Sequence, residues 1–209
     1  MITTVVSSYQ YGHLAAHCIE SILSQSVKPE KILFVDDAAG DCFHLPKKYP
    51  EVEFVLRTEN LGTVNNFQDM LNRVNTTYCM FIGADNWLRS DSIELLHSAI
   101  DNSSPDIVTY DMVLTGELKE TRVPHHKDEV VKYTGDYYWD RMFKHHGSML
   151  YRVELAKAVG GYSRHNDSSH QTLEDLSLWN KMMRENAKVS HIKQGLLYYR
   201  HHRNNFNKY

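Results

Sequence analysis

The sequence predicts an α/β fold, with a mostly parallel sheet that carries helices on both of its faces. The first observation is an alternation of short apolar runs rich in β-branched residues with stretches whose apolar residues recur at the helical period. The second is that polar or acidic residues follow several of the apolar runs directly, as they do where strands of an open sheet end beside a ligand. A chain of 209 residues is long enough to form one domain with a buried core.

Alternating strands and helices fill the chain up to about residue 114. Strands are predicted over residues 2–7, 31–35, 53–56, 78–82 and 106–114, and helices over 14–25, 63–74 and 90–100. The β-α-β order favours parallel strands joined by right-handed crossovers. Ser90 is expected to cap the third helix, because a serine hydroxyl can accept a hydrogen bond from the first helical N–H groups.

The second part of the chain is less regular. Between about residues 115 and 145, a charged stretch precedes an aromatic cluster that we interpret as part of a variable lobe: Tyr133, Tyr137, Tyr138, Trp139 and Phe143. Further strands are predicted over residues 147–151, 188–192 and 196–199, and helices over 153–159 and 173–186. Leu178 and Trp179 are expected to pack in the core, as the apolar face of a helix normally does.

Composition and charge indicate the cellular location and the solubility that we expect for the protein. The formal net charge is −3, but no acidic residue follows Glu185, and the end of the chain is basic. Three cysteines at no metal-ligand spacing favour a reducing, cytoplasmic location without a disulfide framework. The sequence shows no signal peptide and no run approaching about 20 apolar residues, so we expect a soluble protein without a transmembrane segment.

Four polar groups follow predicted strand ends or begin a predicted helix. They are Ser7 to Tyr9, Asp36 with Asp37, Asp85, and Glu174 with Asp175. The carboxyl ends of parallel strands meet at one edge of a sheet, so these groups are expected to share a cleft. A carboxylate such as that of Asp85 can hold a divalent cation, and the cation can hold a diphosphate. The plainer interpretation is that the aspartates belong to turns and that Glu174 and Asp175 complement a helix dipole.

Seven segments follow one another along the chain: TVVSSYQ, SILSQSVKPEKILFVDDAAGD, NLGTVNNF, YCMFIGADNWL, GGYSRH, LEDLSLWNKM and YYRHH. In this order they resemble the inverting nucleotide-sugar glycosyltransferases with the GT-A fold, of the glycosyltransferase family 2 type. The resemblance implies one Rossmann-like GT-A domain, with a nucleotide-sugar-binding half over residues 1–114 and an acceptor-side half over 115–209. It also implies a hexosyl- or pentosyltransferase that moves a sugar from a nucleoside diphosphate, UDP above all, to a hydroxyl acceptor. Inversion and help from Mn²⁺ or Mg²⁺ are expected.

The resemblance assigns a role to each matching residue. Those implied in nucleotide-sugar binding are Ser7, Tyr9, Asp36, Asp37, Arg57, Asn60, Gly62, Asn66, Asp85, Arg200 and His202. Among them, Asp85 matches the metal ligand of the Asp-x-Asp signature, and Arg200 and His202 match the end that closes over the diphosphate. Asp175 matches the catalytic base, with Glu174 beside it.

The signature departs from the family pattern at two positions. Gly83 replaces its first aspartate, and Asn86 replaces the aspartate that follows the metal ligand. With one carboxylate, metal binding is expected to be weaker and to depend on the diphosphate itself. A nucleotide-sugar-binding module with little or no catalytic activity is therefore the alternative to an enzyme. A nucleotidyltransferase is disfavoured, because that chemistry requires a Gly-rich basic loop after the first strand.

The sequence is compatible with several kinds of acceptor. A glycan, a lipid-linked sugar, a protein or a modified base in DNA would each fit, the last on account of the basic end and the aromatic lobe. The stretch Tyr137–Tyr138–Trp139 could pack within the lobe or stack on a sugar or base. Adjacent histidines at 125–126, 145–146 and 201–202 do not predict zinc, because neighbouring side chains on a strand point to opposite faces.

Overall fold

The computed structural model describes residues 1–116, 147–164 and 174–202, together with the backbone of three short strands at 129–131, 166–167 and 170–171. The strands are β1 (Ile2–Ser8), β2 (Lys31–Asp36), β3 (Glu53–Leu56), β4 (Tyr78–Gly83), β5 (Trp87–Leu88), β6 (Ile107–Gly116), β7 (Glu129–Val131), β8 (Leu150–Arg152), β9 (Asn166–Asp167), β10 (His170–Gln171) and β11 (Val189–His201). The helices are α1 (Gly12–Leu23), α2 (Leu45–Lys48), α3 (Gly62–Arg73), α4 (Ser92–Ser103), α5 (Val153–Ala158) and α6 (Glu174–Arg184).

One large sheet organises the described part of the chain, in the order β3-β2-β1-β4-β8-β6-β11-β5, with β7 beside β6. The strands β3, β2, β1 and β4 are parallel, and so are β6 and β11. Between these groups, β8 runs antiparallel to both β4 and β6. The predicted α/β fold with a mostly parallel sheet is therefore confirmed.

The central strands send alternate side chains into two separate cores. On β1, Val6 faces the core formed with α1 and α4, whereas Val5 faces the core formed with α3, α5 and α6. On β4, Ile82 and Phe81 divide between the two cores in the same way. This burial on both faces explains why the strands read as continuous apolar runs rather than as alternating ones.

Three elements differ from the expectation. The two strands predicted over 188–192 and 196–199 form one strand, β11, whose register with β6 shifts on both sides of Gly195. A Cβ at Gly195 would lie 2.7 Å from Cγ2 of Val113, so the irregularity requires a residue without a side chain. The Ser90 cap is wrong: α4 begins at Ser92, whose hydroxyl donates to the carbonyl of Leu196 instead. The two-residue strand β5 is too short for a periodic signal.

Several predicted features lie outside the described residues. They are the aromatic cluster of Tyr133, Tyr137, Tyr138, Trp139 and Phe143, the histidine pairs at 125–126 and 145–146, and the basic residues Arg203 and Lys208. The division into two functional halves stays a prediction. Among the described helices, none combines the length and the apolar character that a membrane crossing requires.

Helix α6 gives a direct test of the second core. Trp179 is fully buried and meets the ring of Tyr151 edge to face, with 5.3 Å between the ring centroids. We expect Trp179→Ala to lower the free energy of unfolding by about 3–5 kcal/mol, because it opens a cavity beneath the helix. Denaturant unfolding measures this loss, and Phe43→Ala, at a side chain that is 70% exposed, is the control with a change within about 0.5 kcal/mol. Equal losses in the two variants would contradict the packing of α6.

Candidate functional site

The carboxyl ends of β1, β2 and β4 meet at one edge of the sheet. Ser7 pairs with Gly83 across one interface, and Ser8 pairs with Asp36 across the other. The ladder continues beyond the strands, because the N–H of Ala84 donates to the carbonyl of Ser7 and the N–H of Asp37 to that of Ser8, each at 2.9 Å. Ser7 is half-buried here and Tyr9 is 48% exposed. The expected convergence of strand ends is present.

Asp36 forms the turn that follows β2. Its buried carboxylate accepts the N–H groups of Ala39 at 3.4 Å and Gly40 at 3.0 Å. Ala38 within this turn has a left-handed φ of 67°. Burial raises the pKa of Asp36, while the two backbone hydrogen bonds oppose that rise. The turn interpretation therefore describes this residue well.

Asp37 fixes the start of α3. Its carboxylate accepts the N–H groups of Leu61 at 3.0 Å and Gly62 at 3.1 Å, and its carbonyl accepts the amide of Asn60 at 2.8 Å. Gly62 has a φ of +71°, a left-handed conformation that favours glycine. The structure thus brings three of the residues implied in nucleotide binding, Asp37, Asn60 and Gly62, into one hydrogen-bonded unit.

Arg57 joins this unit from β3's carboxyl end. Its Nε donates to Oδ1 of Asn66 at 3.2 Å and lies 3.4 Å from Oδ1 of Asp37. Its Nη2 contacts Asp69 at 2.5 Å, a partner that the sequence motifs did not single out. The side chain of Arg57 is 11% exposed, and its charge neutralises that of Asp37. Arg57 thereby supports the hydrogen-bonded unit at the start of α3.

A second acidic group lies at the loop after β2. Ligand atoms of Asp36, Asp41 and Cys42 lie within 4.8 Å of one another, as metal ligands would. Asp41, however, accepts the N–H of Gly12 at 2.8 Å, and a Cβ at Gly12 would come within 2.4 Å of the Asp41 carbonyl oxygen. Burial raises the pKa of the Cys42 thiol to about 12. Asp41 therefore anchors the loop to the start of α1, and the three residues are also close enough together to hold a metal ion.

Asp85 lies in a tight turn directly after β4. The residue is 6% exposed, and the N–H of Asn86 closes the turn on the carbonyl of Gly83 at 3.0 Å. A Cβ at position 83 would lie 2.5 Å from Oδ1 of Asp85. An aspartate at 83 and this position of the Asp85 carboxylate therefore exclude each other, which gives a physical reason for the first departure from the signature.

The end of β11 closes over this turn. The N–H of Arg200 donates to Oδ1 of Asn86 and its Nε donates to the carbonyl of Asp85, both at 2.9 Å. Nε2 of the buried His202 lies 3.1 Å from Oδ2 of Asp85. The structure brings together Asp85, Arg200 and His202, as the resemblance implies, and it gives Asn86 a role that the sequence did not predict.

Asp85 and His202 fit a divalent ion. Two adjacent ligands of an octahedral Mg²⁺, each about 2.1 Å from the ion, are separated by about 3 Å. The 3.1 Å between Oδ2 of Asp85 and Nε2 of His202 matches that separation. An unprotonated Nε2 can ligate a metal, whereas a protonated one donates to the carboxylate.

Glu174 and Asp175 begin α6 on the side of the second core. Oδ1 of Asp175 accepts the N–H of Leu176 at 2.7 Å, and its Oδ2 would lie 2.9 Å from a Cβ at Gly147. Burial raises the pKa of Asp175, which favours its protonated form. Glu174 is buried and accepts Nε of Arg164 at 3.4 Å. Glu174 is thus held by an ion pair, whereas Asp175 faces a glycine.

Two aromatic residues contact the site in ways that the sequence did not predict. The ring of Tyr11 meets that of His202 edge to face at 5.4 Å. Trp87 contacts both His17 and Arg200. Trp87 lies in the segment around Asp85 but had no role assigned to it, and Tyr11 precedes α1 outside the quoted segments.

Solved structures with the same architecture include those of S. aureus TarS. The complex of TarS 1-349 with UDP-GlcNAc has a TM-score of 0.75 at 15% identity, covering 98% of this chain and 59% of that one. A longer TarS structure has a TM-score of 0.73 at 15% identity, covering 94% of this chain and 36% of that one. These similarities show the fold, and the predicted GT-A architecture is confirmed by them.

Sequence comparison agrees with the structural one. The glycosyltransferase GlyA of Streptococcus pneumoniae serotype 4 is 27% identical over 110 residues, which are 51% of this chain and 16% of that protein. The chain therefore spans well under two thirds of the length of these relatives. The family described as "Glycosyl transferase family 2" matches residues 3–160, most of the sequence, and the chain belongs to that family.

Proposed function

We propose that the chain transfers a glycosyl group from a UDP-sugar to a hydroxyl acceptor, with inversion at the anomeric carbon. The observation that carries the proposal is the meeting of Asp85, Arg200 and His202 at the carboxyl edge of the sheet. Membership of glycosyl transferase family 2 supports the reaction class. The UDP-GlcNAc bound to the similar TarS supports the choice of donor.

The nucleoside binds at the ends of β1 and β2 in this proposal. Ser7 and the largely exposed Tyr9 are accessible from that edge. A carboxylate has about four lone-pair sites. Asp36 and Asp37 each use two of these sites for backbone N–H groups. Asp37 also lies beside Arg57, which takes up further acceptor capacity. Asp36 therefore retains more capacity to accept a hydrogen bond from the base, and Asp37 supports the wall with Asn60, Gly62 and Asn66.

The diphosphate binds beside the Asp85 turn and the end of β11, which are bonded to each other. A divalent cation, Mn²⁺ or Mg²⁺, held by Asp85 and His202 would neutralise the charge that develops on the leaving diphosphate. Arg200 adds a fixed positive charge next to the same turn, because its Nε is bound to the Asp85 carbonyl. Only one carboxylate serves the cation, so its affinity depends on the diphosphate as well.

Asp175 is the proposed base. Its raised pKa makes its carboxylate a better proton acceptor than an ordinary aspartate. The acceptor hydroxyl gives its proton to Asp175, its oxygen bonds to the anomeric carbon, and the bond from that carbon to the diphosphate oxygen breaks with the electron pair leaving on the diphosphate. Attack opposite the leaving group inverts the centre. Glu174, paired with Arg164, positions the start of α6.

A nucleotide-sugar-binding module with weak or no turnover is the second candidate. The observation that favours it is the loss of carboxylates from the signature, with Gly83 unable to carry one and the side chain of Asn86 bound to the backbone of Arg200. Hydrolysis of UDP-GlcNAc in the absence of acceptor separates the two, since a module binds the donor without consuming it. The acceptor, whether a glycan, a lipid-linked sugar, a protein or a modified base in DNA, is a separate question. Salt-sensitive binding of duplex DNA would support the last.

One prediction of the proposed function concerns the metal. Asp85→Asn keeps the shape of the side chain but removes its charge, so we expect Mn²⁺-dependent UDP affinity to fall by about 10- to 100-fold. Calorimetric titration of UDP, with Mn²⁺ and with a chelator, measures this change. Asp101→Asn, at an exposed position on α4, is the matched control and should bind UDP as the natural sequence does. Unchanged UDP binding by the Asp85 variant in Mn²⁺ would remove Asp85 from the metal site.

Another prediction of the proposed function concerns the catalytic base. Asp175→Asn should lower kcat for UDP-GlcNAc hydrolysis by about 10²- to 10⁴-fold and leave the Kd of UDP nearly unchanged, because the residue acts on the nucleophile only. Glu185→Gln, at an exposed position after α6, is the control. If kcat survives in the Asp175 variant, another group is the base.

The raised pKa of Asp175 leads to a prediction about the pH dependence of the reaction. The base must be deprotonated, so activity is full above that pKa and is lost as the pH falls through it. The acid limb of kcat/KM, which reports the free enzyme, should therefore lie above about 3.9, the ordinary aspartate value. A pH profile of kcat/KM for hydrolysis checks this expectation, and a limb at or below the ordinary value would show that burial does not govern the reacting carboxylate.

A further inference from the structure

The guanidinium of Arg200 is held by more than the Asp85 turn. Its Cζ lies 4.7 Å from the centroid of the Trp87 ring, within the range of a cation–π contact. Its Nη2 lies 3.1 Å from Nδ1 of His17, an exposed residue of α1. Three groups therefore contact the guanidinium: the Trp87 ring, the His17 imidazole and, through Nε, the carbonyl of Asp85.

The Trp87 ring is itself packed against two other rings. Trp87 on β5 pairs in register with Tyr198 on β11, and the two rings stack at 5.2 Å with an angle of 5° between their planes. The imidazole of His17 stacks on Trp87 at 4.6 Å and 29°. A helix, an edge strand and the long strand β11 therefore contribute one ring each to the stack, which leaves Trp87 little freedom to move.

His17 suits the role of acceptor. Burial and the neighbouring Arg200 lower the pKa of His17, an effect that Glu20 on the same helix opposes. The neutral ring can offer Nδ1 to the guanidinium, whereas a protonated ring would repel it. The contact thus holds Arg200 without neutralising its charge.

An unrestrained arginine would bind a diphosphate at an entropic cost. The side chain has many rotamers, and fixing one of them before the ligand arrives removes part of the entropic cost from binding. A cation held in place before the reaction also stabilises developing charge better than one that must reorient. The stack provides both conditions for Arg200.

We propose that Trp87 and His17 are positioning residues that hold the Arg200 guanidinium where the donor diphosphate binds, with Tyr198 as the support of Trp87. This inference rests on the proposed function, because it takes a nucleoside diphosphate as the ligand of Arg200. It extends that function to two residues to which the resemblance assigns no role. Neither residue needs to touch the donor.

The test compares a ligand with a diphosphate to one without. Trp87→Leu should weaken UDP binding in Mn²⁺ by about 5- to 30-fold, and His17→Ala by about 2- to 5-fold. Uridine, which has no phosphate to meet Arg200, should bind both variants as it binds the natural sequence. Trp87→Phe keeps an aromatic face and should restore most of the UDP affinity. His13→Ala, at an exposed position one turn earlier on α1, is the control for His17 and should leave both ligands unaffected.

A double-mutant cycle then asks whether Trp87 acts through Arg200. Arg200→Met should itself weaken UDP binding, and adding Trp87→Leu to it should cause no further loss, because the group that Trp87 positions is already absent. Additive losses, or equal losses for UDP and uridine, would show that Trp87 merely stabilises the fold and would overturn the inference.

The outcomes separate this inference from the proposed function. If the natural sequence does not bind UDP in Mn²⁺, or if Arg200→Met binds it normally, the proposed donor site is wrong. If Arg200→Met weakens UDP binding but Trp87→Leu and His17→Ala do not, the donor site stands and the positioning role alone is refuted. Melting temperatures of all variants, measured alongside, identify any that fail to fold.

Discussion

The tight turn after β4 is the constraint on which the candidate site depends. The carboxylate of Asp85 lies where a side chain at position 83 would project, so its present position depends on a glycine there. The turn is fixed to β1 through the bond from Ala84 to Ser7, and it offers the Asp85 carbonyl to Arg200. Replacing Gly83 would therefore shift the Asp85 side chain that His202 contacts after β11.

The acidic residues of the candidate site differ in their surroundings. Asp36 and Asp37 accept backbone N–H groups from the loops that follow them, and they hold those loops in place. Asp85 lies beside His202, whereas Asp175, at the start of α6, accepts the N–H of Leu176 and lies against Gly147. The first pair therefore supports loops, and the second pair carries the roles proposed at the cation and at the acceptor proton.

The sequence predicts the strand ends well and the connections between them poorly. Strand runs such as 78–82 are buried on both faces and carry a local signal, so the positions of these strands along the chain could be predicted. The continuity of β11 across Gly195 and the pairing of Trp87 with Tyr198 arise from contacts between residues about a hundred positions apart. Motifs placed Arg200 and His202 at the site, but no local pattern could show that Asn86 binds the backbone of Arg200, 114 residues away.

A signature with one carboxylate changes the balance of charges at a diphosphate site. Fewer anionic ligands hold the cation less tightly, but they also repel the diphosphate less. Under the proposed mechanism, more of the stabilisation of the leaving group then falls to the protein's own cation, Arg200. A guanidinium contributes most when its position is fixed in advance, which is the condition that the rings of Trp87 and His17 create. The loss of carboxylates at 83 and 86 and the stack around Arg200 are thus physically consistent with each other.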